Sequence, residues 1–86
     1  MPTKRTLEQI KEREFLRLSE FAELNGVRYS TVKYYSELGL LPFERKGKRL
    51  SKYYPRIEAS KRIKEILRLR EQGKTVNEVI DRISKK

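Results

Sequence analysis

The sequence predicts a mainly α-helical domain of four or five short helices with one small two-stranded antiparallel hairpin among them. Three observations carry this. Polar start signals and glycine stops recur at helix-length intervals, apolar residues keep helical spacing in the C-terminal half, and a proline-led segment turns at Lys46-Gly47-Lys48. Eighty-six residues without Cys allow one small core and no disulfide framework.

Thr6 followed by Gln9 fits a capping box for a short helix from Leu7 to about Arg13, with Leu7 and Ile10 as its apolar content. That helix belongs to an N-terminal extension, residues 1–16, ahead of a domain spanning 17–86. Ser19 is expected to cap a helix from Glu20 to Asn25, with Leu18, Phe21 and Ala22 on its apolar side and Gly26 as its left-handed stop. Ser30 is expected to cap a second helix, Thr31 to Leu38, ended by Gly39. Pro42 has no N–H to give a ladder, so Leu41 to Arg45 reads as an edge strand, with Arg49 to Tyr54 returning. Pro55 suits the first turn of the longest helix, whose stripe is Ile57, Ile63, Ile66 and Leu67 up to Gly73. Thr75 with Glu78 forms a capping box for the last helix, in which Val76, Val79, Ile80 and Ile83 recur at i, i+3, i+4, i+7. Ser84 to Lys86 and the first few residues are expected to be loose.

Composition then narrows function. The formal net charge is +10, and there is no His, Cys or Trp. A zinc ribbon, thiol chemistry and the usual general base are therefore excluded, and no cofactor or metal is expected. No apolar run approaches the roughly 20 residues that span a bilayer, so a cytoplasmic, nucleoid-associated protein is expected. The charge is concentrated: Arg28 to Arg56 holds eight basic residues and two acids, a net of +6, against +4 for the rest of the chain. A solvating surface mixes both signs evenly, whereas a basic block is the footprint of a polyanion binder, nucleic acid first.

Leu18 to Tyr35 meets the steric demands of a helix-turn-helix. Ala22 is small where a second helix must cross closely, Gly26 takes the turn, and Val27, Val32 and Tyr35 face inward. On a 100° wheel Ser30, Lys33, Tyr34 and Glu37 project from the opposite, mainly basic side of the second helix. A helix about 12 Å long with that face fits a DNA major groove, N-terminal residues toward the base edges. A plain helical hairpin would not need the small, glycine and branched positions and a basic neighbour together.

The run Arg17-Leu-Ser-Glu-Phe-Ala-Glu-Leu-Asn-Gly-Val27, then Ser30-Thr-Val-Lys-Tyr-Tyr-Ser-Glu-Leu-Gly-Leu-Leu-Pro42, resembles the DNA-binding domain of the MerR family of transcriptional regulators. Lys46-Gly-Lys-Arg-Leu-Ser-Lys-Tyr-Tyr54 resembles that family's wing, and Ile57 to Ile83, with Leu69-Arg-Glu-Gln-Gly-Lys-Thr75 inside it, resembles the helix pair that follows. The resemblance implies a winged helix-turn-helix that reads double-stranded DNA, with the second helix in the major groove and the wing on the flanking backbone. Thr31, Lys33 and Tyr34 match the recognition helix, and Arg49 lies near the wing arginine. The candidate DNA-binding set is Arg28, Tyr29, Ser30, Thr31, Lys33, Tyr34, Arg45, Lys46, Lys48, Arg49 and Lys52.

The sequence departs from the family pattern at two positions in the second helix: Lys33 stands where Arg is usual and Ser36 where Glu is usual. Lys lacks the guanidinium fork that matches guanine, so Lys33 suits a phosphate better than a base. Family members continue into a dimerising helix and an effector domain, about where this chain ends. Two readings stay open: a regulator's DNA-binding domain, expected to be monomeric as this chain and to dimerise only through a further C-terminal helix, or a free-standing architectural or recombination accessory protein of excisionase type.

Other classes fare worse. Ser30-Thr-Val-Lys33 fits S-x-x-K but lacks that motif's companions, and Gly73-Lys74-Thr75 has Arg68 where a phosphate-binding loop needs Gly, so no enzyme is expected. The basic, isoleucine-bearing segment Arg56 to Arg70 could lie on a membrane surface, but the domain needs those isoleucines as core. An RNA-binding sheet would carry aromatics on its strands in a pattern absent here.

Overall fold

The computed structural model describes residues 7–84. In chain order they form α1 (Leu7–Glu12), β1 (Phe15–Leu16), α2 (Leu18–Asn25), α3 (Tyr29–Glu37), β2 (Glu44–Lys46), β3 (Ser51–Pro55), α4 (Arg56–Glu71) and α5 (Val76–Ser84). Thr6, the expected cap of α1, and Lys85 and Lys86 lie outside the described residues.

Both helices of the central pair begin earlier than their serines suggest. The N-cap of α2 is Arg17, not Ser19, because the Glu20 carboxylate reaches back to accept the Arg17 backbone N–H at 3.0 Å. The N-cap of α3 is Arg28, not Ser30; the Arg28 carbonyl accepts from the N–H groups of Thr31 and Val32, both at 3.1 Å, which draws Ser30 into the first turn. The stops are where the glycines place them. Gly26 has φ +63°, and the next N–H, that of Val27, returns to the Ala22 carbonyl at 3.0 Å. Gly39 does the same at φ +78°, with Leu40 N–H on the Tyr35 carbonyl at 3.1 Å.

The hairpin is displaced along the chain. Leu40 and Leu41, the second expected in a strand, are instead buried in the core ahead of β2. Arg45 pairs with Lys52 and Lys46 with Ser51, leaving Gly47 to Leu50 as a four-residue loop closed by Leu50 N–H on the Gly47 carbonyl at 3.1 Å. The return strand thus starts at Ser51 rather than Arg49. The sheet also gains a third strand that the sequence does not announce: Phe15 pairs with Pro55 and Leu16 with Tyr54 on the far edge of β3, giving the order β1-β3-β2. Arg56 N–H continues that ladder to the Glu14 carbonyl at 2.8 Å.

A single core joins these pieces. Ile10 of α1, Leu16, Phe21, Val32, Tyr54, Ile63, Ile66 and Val79 are all at most 1 % exposed. Phe21 stacks on Tyr54 with ring centroids 5.5 Å apart. Along α4 the buried stripe is Ala59, Ile63, Ile66 and Leu69, while Ile57 is 57 % exposed. The expected place of Ile57 in that stripe fails on geometry: six positions before Ile63, it is rotated about 240° from it. α5 buries Val79 and Ile83, keeps its Thr75–Glu78 box with bonds of 2.8 and 3.2 Å, and includes Ser84, which was expected to be loose. Two polar ties hold α4 to the helix pair. Asn25 Nδ2 donates to the Phe21 carbonyl and to Ser60 Oγ, and Arg62 donates to the Leu40 carbonyl at 3.1 Å.

Candidate nucleic-acid interface

The outer side of α3 is built from Arg28, Tyr29, Ser30, Lys33 and Tyr34, all exposed, with Thr31 half-buried at its margin. Its inner side, Val32, Tyr35 and Ser36, is buried. No acidic residue occupies the first turn, so the positive end of the helix and its free N–H groups stay available to an anion. Tyr29 at 55 % and Tyr34 at 48 % exposure offer aromatic surface beside these donors.

The wing meets α3 through one buried hydrogen bond, Ser36 Oγ to Tyr54 OH at 2.7 Å. Burial pushes the Tyr54 hydroxyl above its ordinary 10.0, with the bond to Ser36 pulling the other way. Because side chains alternate along a strand, the register sorts the basic residues of the wing. Arg45 and Lys52, directly opposite each other, both lie over the Phe43 ring, 5.6 and 4.9 Å from its centroid. Lys52 shares its strand face with Tyr54, so this pair lies on the side by which the wing reaches α3. Lys46 lies on the other side, 3.5 Å from the centroid of Phe15 and 4.0 Å from the Glu44 carboxylate.

The eleven sequence candidates therefore divide into three places: the outer side of α3, the α3-facing side of the wing with its Lys48–Arg49 tip, and the far side, which holds Lys46 alone. Two neighbours were missed. Arg17 lies over the Tyr53 ring at 5.9 Å, on the far side, and its sole sequence signal is its place just before α2. Leu50, 57 % exposed, stands in a turn where a polar residue is the norm, and that mismatch is legible in the sequence. Arg56 counts toward the basic stretch, but its Nε donates to the Arg13 carbonyl at 2.8 Å. A cleft of about 560 Å³ beside β1 has Glu12, Glu14, Glu44 and Glu58 against the single cation Arg56 among its lining residues, a net negative set that repels phosphate.

Two helices joined by a tight glycine turn, the second exposed on its basic side and flanked by a basic hairpin, define a winged helix-turn-helix. The sequence model of the MerR HTH family of regulatory proteins matches residues 16–86, and the chain belongs to that family. Membership points to DNA binding and transcription regulation. Comparison with curated proteins and with solved structures gives no match. Among the described residues no helix is long and apolar enough to cross a membrane.

Proposed function

We propose that this domain binds duplex DNA sequence-specifically, with α3 in the major groove and the wing on the flanking backbone. The observation that supports it best is the buried Ser36–Tyr54 bond, which joins α3, with its exposed basic residues, to the strand whose Tyr54 face carries Lys52 and its cross-strand partner Arg45. A rigid junction between a groove-sized helix and a charged hairpin lets phosphate contacts fix the register in which α3 meets base edges.

Roles follow from position. Thr31 and Tyr34 reach base edges, Lys33 supplies a point charge, and Arg28, Tyr29 and Ser30 meet the phosphates around the helix N-terminus. Arg45, Lys48, Arg49 and Lys52 neutralise backbone phosphates. Alanine at Arg49 or Lys52 is expected to weaken all duplexes alike and to reduce the salt slope by roughly one unit each. Alanine at Thr31 or Tyr34 is expected to cost about 1–3 kcal/mol on the preferred site and less on random DNA. Lys46→Ala, on the far side of the wing, is expected to change the slope least. Titration of duplex DNA, A-form RNA and anionic vesicles at one salt concentration tests the class of partner. Duplex DNA is expected to bind tightest; a preference for RNA or vesicles would overturn the proposal.

A further inference from the structure

The wing tip combines three features that a merely electrostatic clamp does not need. Leu50 is the one non-glycine residue with positive φ among the described residues, at +52°. A γ-branched apolar side chain is strained there, and glycine or asparagine would hold the same turn more easily. Its side chain is 57 % exposed, in a loop otherwise made of Gly47, Lys48 and Arg49. Its carbonyl accepts a hydrogen bond from Arg45 Nη1 at 3.1 Å, while its N–H closes the turn on Gly47, so the backbone that carries the side chain is held at both ends.

We infer that Leu50 is an apolar wedge that enters the minor groove beside the α3 site and bends the duplex there. This rests on the duplex-binding reading above. Leu50 is the turn residue next to Ser51, which lies three residues along β3 from Tyr54, the anchor beside α3, or about 10 Å at the rise of a β-strand. Half a turn of B-DNA separates a major groove from the next minor groove by about 17 Å along the axis, so the tip reaches it once the turn residue and its side chain are added. Lys48 and Arg49 on one side and Lys52 on the other hold the flanking phosphates. An apolar group carried between such charges can part a base step, whereas in water it costs stability and returns nothing. The duplex class that suits it has a flexible pyrimidine–purine step, TA or CA/TG, about half a turn from the recognised sequence.

The test uses the whole chain and a duplex of about 30 base pairs carrying fluorophores at its ends, so that affinity and bend are read together. The unaltered chain is expected to shorten the end-to-end distance. Leu50→Gly and Leu50→Asn are expected to fold with an unchanged or higher melting temperature, since both accept positive φ. They are expected to lose most of the bend and roughly tenfold in affinity, while the salt slope stays the same because an apolar group releases no counterions. Leu50→Met is expected to keep both. Binding without a bend, or a bend that survives Leu50→Asn, overturns the wedge alone. Failure of the unaltered chain to bind any duplex overturns the duplex-binding reading and the wedge with it.

Discussion

Phe21→Ala is expected to lower the unfolding free energy by about 3–5 kcal/mol, the largest loss expected of any single substitution in this core. Phe21 is fully buried and stacked on Tyr54, so the substitution removes a large apolar side chain and opens a cavity where α2, β3 and α4 meet. A chain of this length holds only about 4–13 kcal/mol in total, and α2 cannot position α3 without that contact. Urea unfolding followed by circular dichroism would show the midpoint fall to lower denaturant. A shift smaller than about 1 kcal/mol would mean that the core does not converge on Phe21.

Tyr54→Phe is expected to cost about 1–3 kcal/mol, although it removes a single oxygen, because the buried Ser36 hydroxyl is left without its partner. Ser36→Ala should do the same from the other side, and the double variant should cost less than the sum of the two. Duplex affinity should fall with both single variants, since the bond sets the angle between α3 and the wing. The sign with pH is fixed. Tyr54 titrates above its ordinary 10.0 when folded, so the unfolded chain loses that proton first and stability falls as pH rises through 10 toward the folded value. Below that window the residue adds no pH dependence. Tyr54→Phe should flatten this part of the alkaline unfolding curve, and an unchanged curve would count against the burial of the Tyr54 hydroxyl.

What the sequence made legible was local. Gly26 and Gly39 end their helices where expected because the left-handed stop is a property of the residue itself, and the Thr75–Glu78 box is complete within four residues. The inner and outer sides of α3 followed from the helical wheel alone, with Val32 and Tyr35 buried and Lys33 and Tyr34 exposed. Features that depend on distant partners were not legible. β1 is two residues long, too short for any period, and exists because Tyr54 and Pro55 offer it an edge. The caps at Arg17 and Arg28 were hidden because neither residue has a capping side chain; at Arg17 the bond comes from Glu20. Ile57 fits the α4 stripe only on a loose count of helical spacing; its phase relative to Ile63 sets it outside. The division of the wing into two sides needed the register: a turn of Gly47 to Leu50, one residue longer than the Lys46-Gly47-Lys48 turn, decides which cations share a face with Tyr54.

The measurement that tests the duplex-binding proposal most directly is the salt dependence of duplex affinity for the unaltered chain. The basic stretch from Arg28 to Arg56 carries a net charge of +6. With about five to seven phosphates neutralised, log K against log salt should fall with a slope of roughly −5 to −6. Affinity that barely changes with salt would contradict it, because a recognition helix and wing whose exposed surfaces are this basic cannot engage duplex DNA without displacing its counterions.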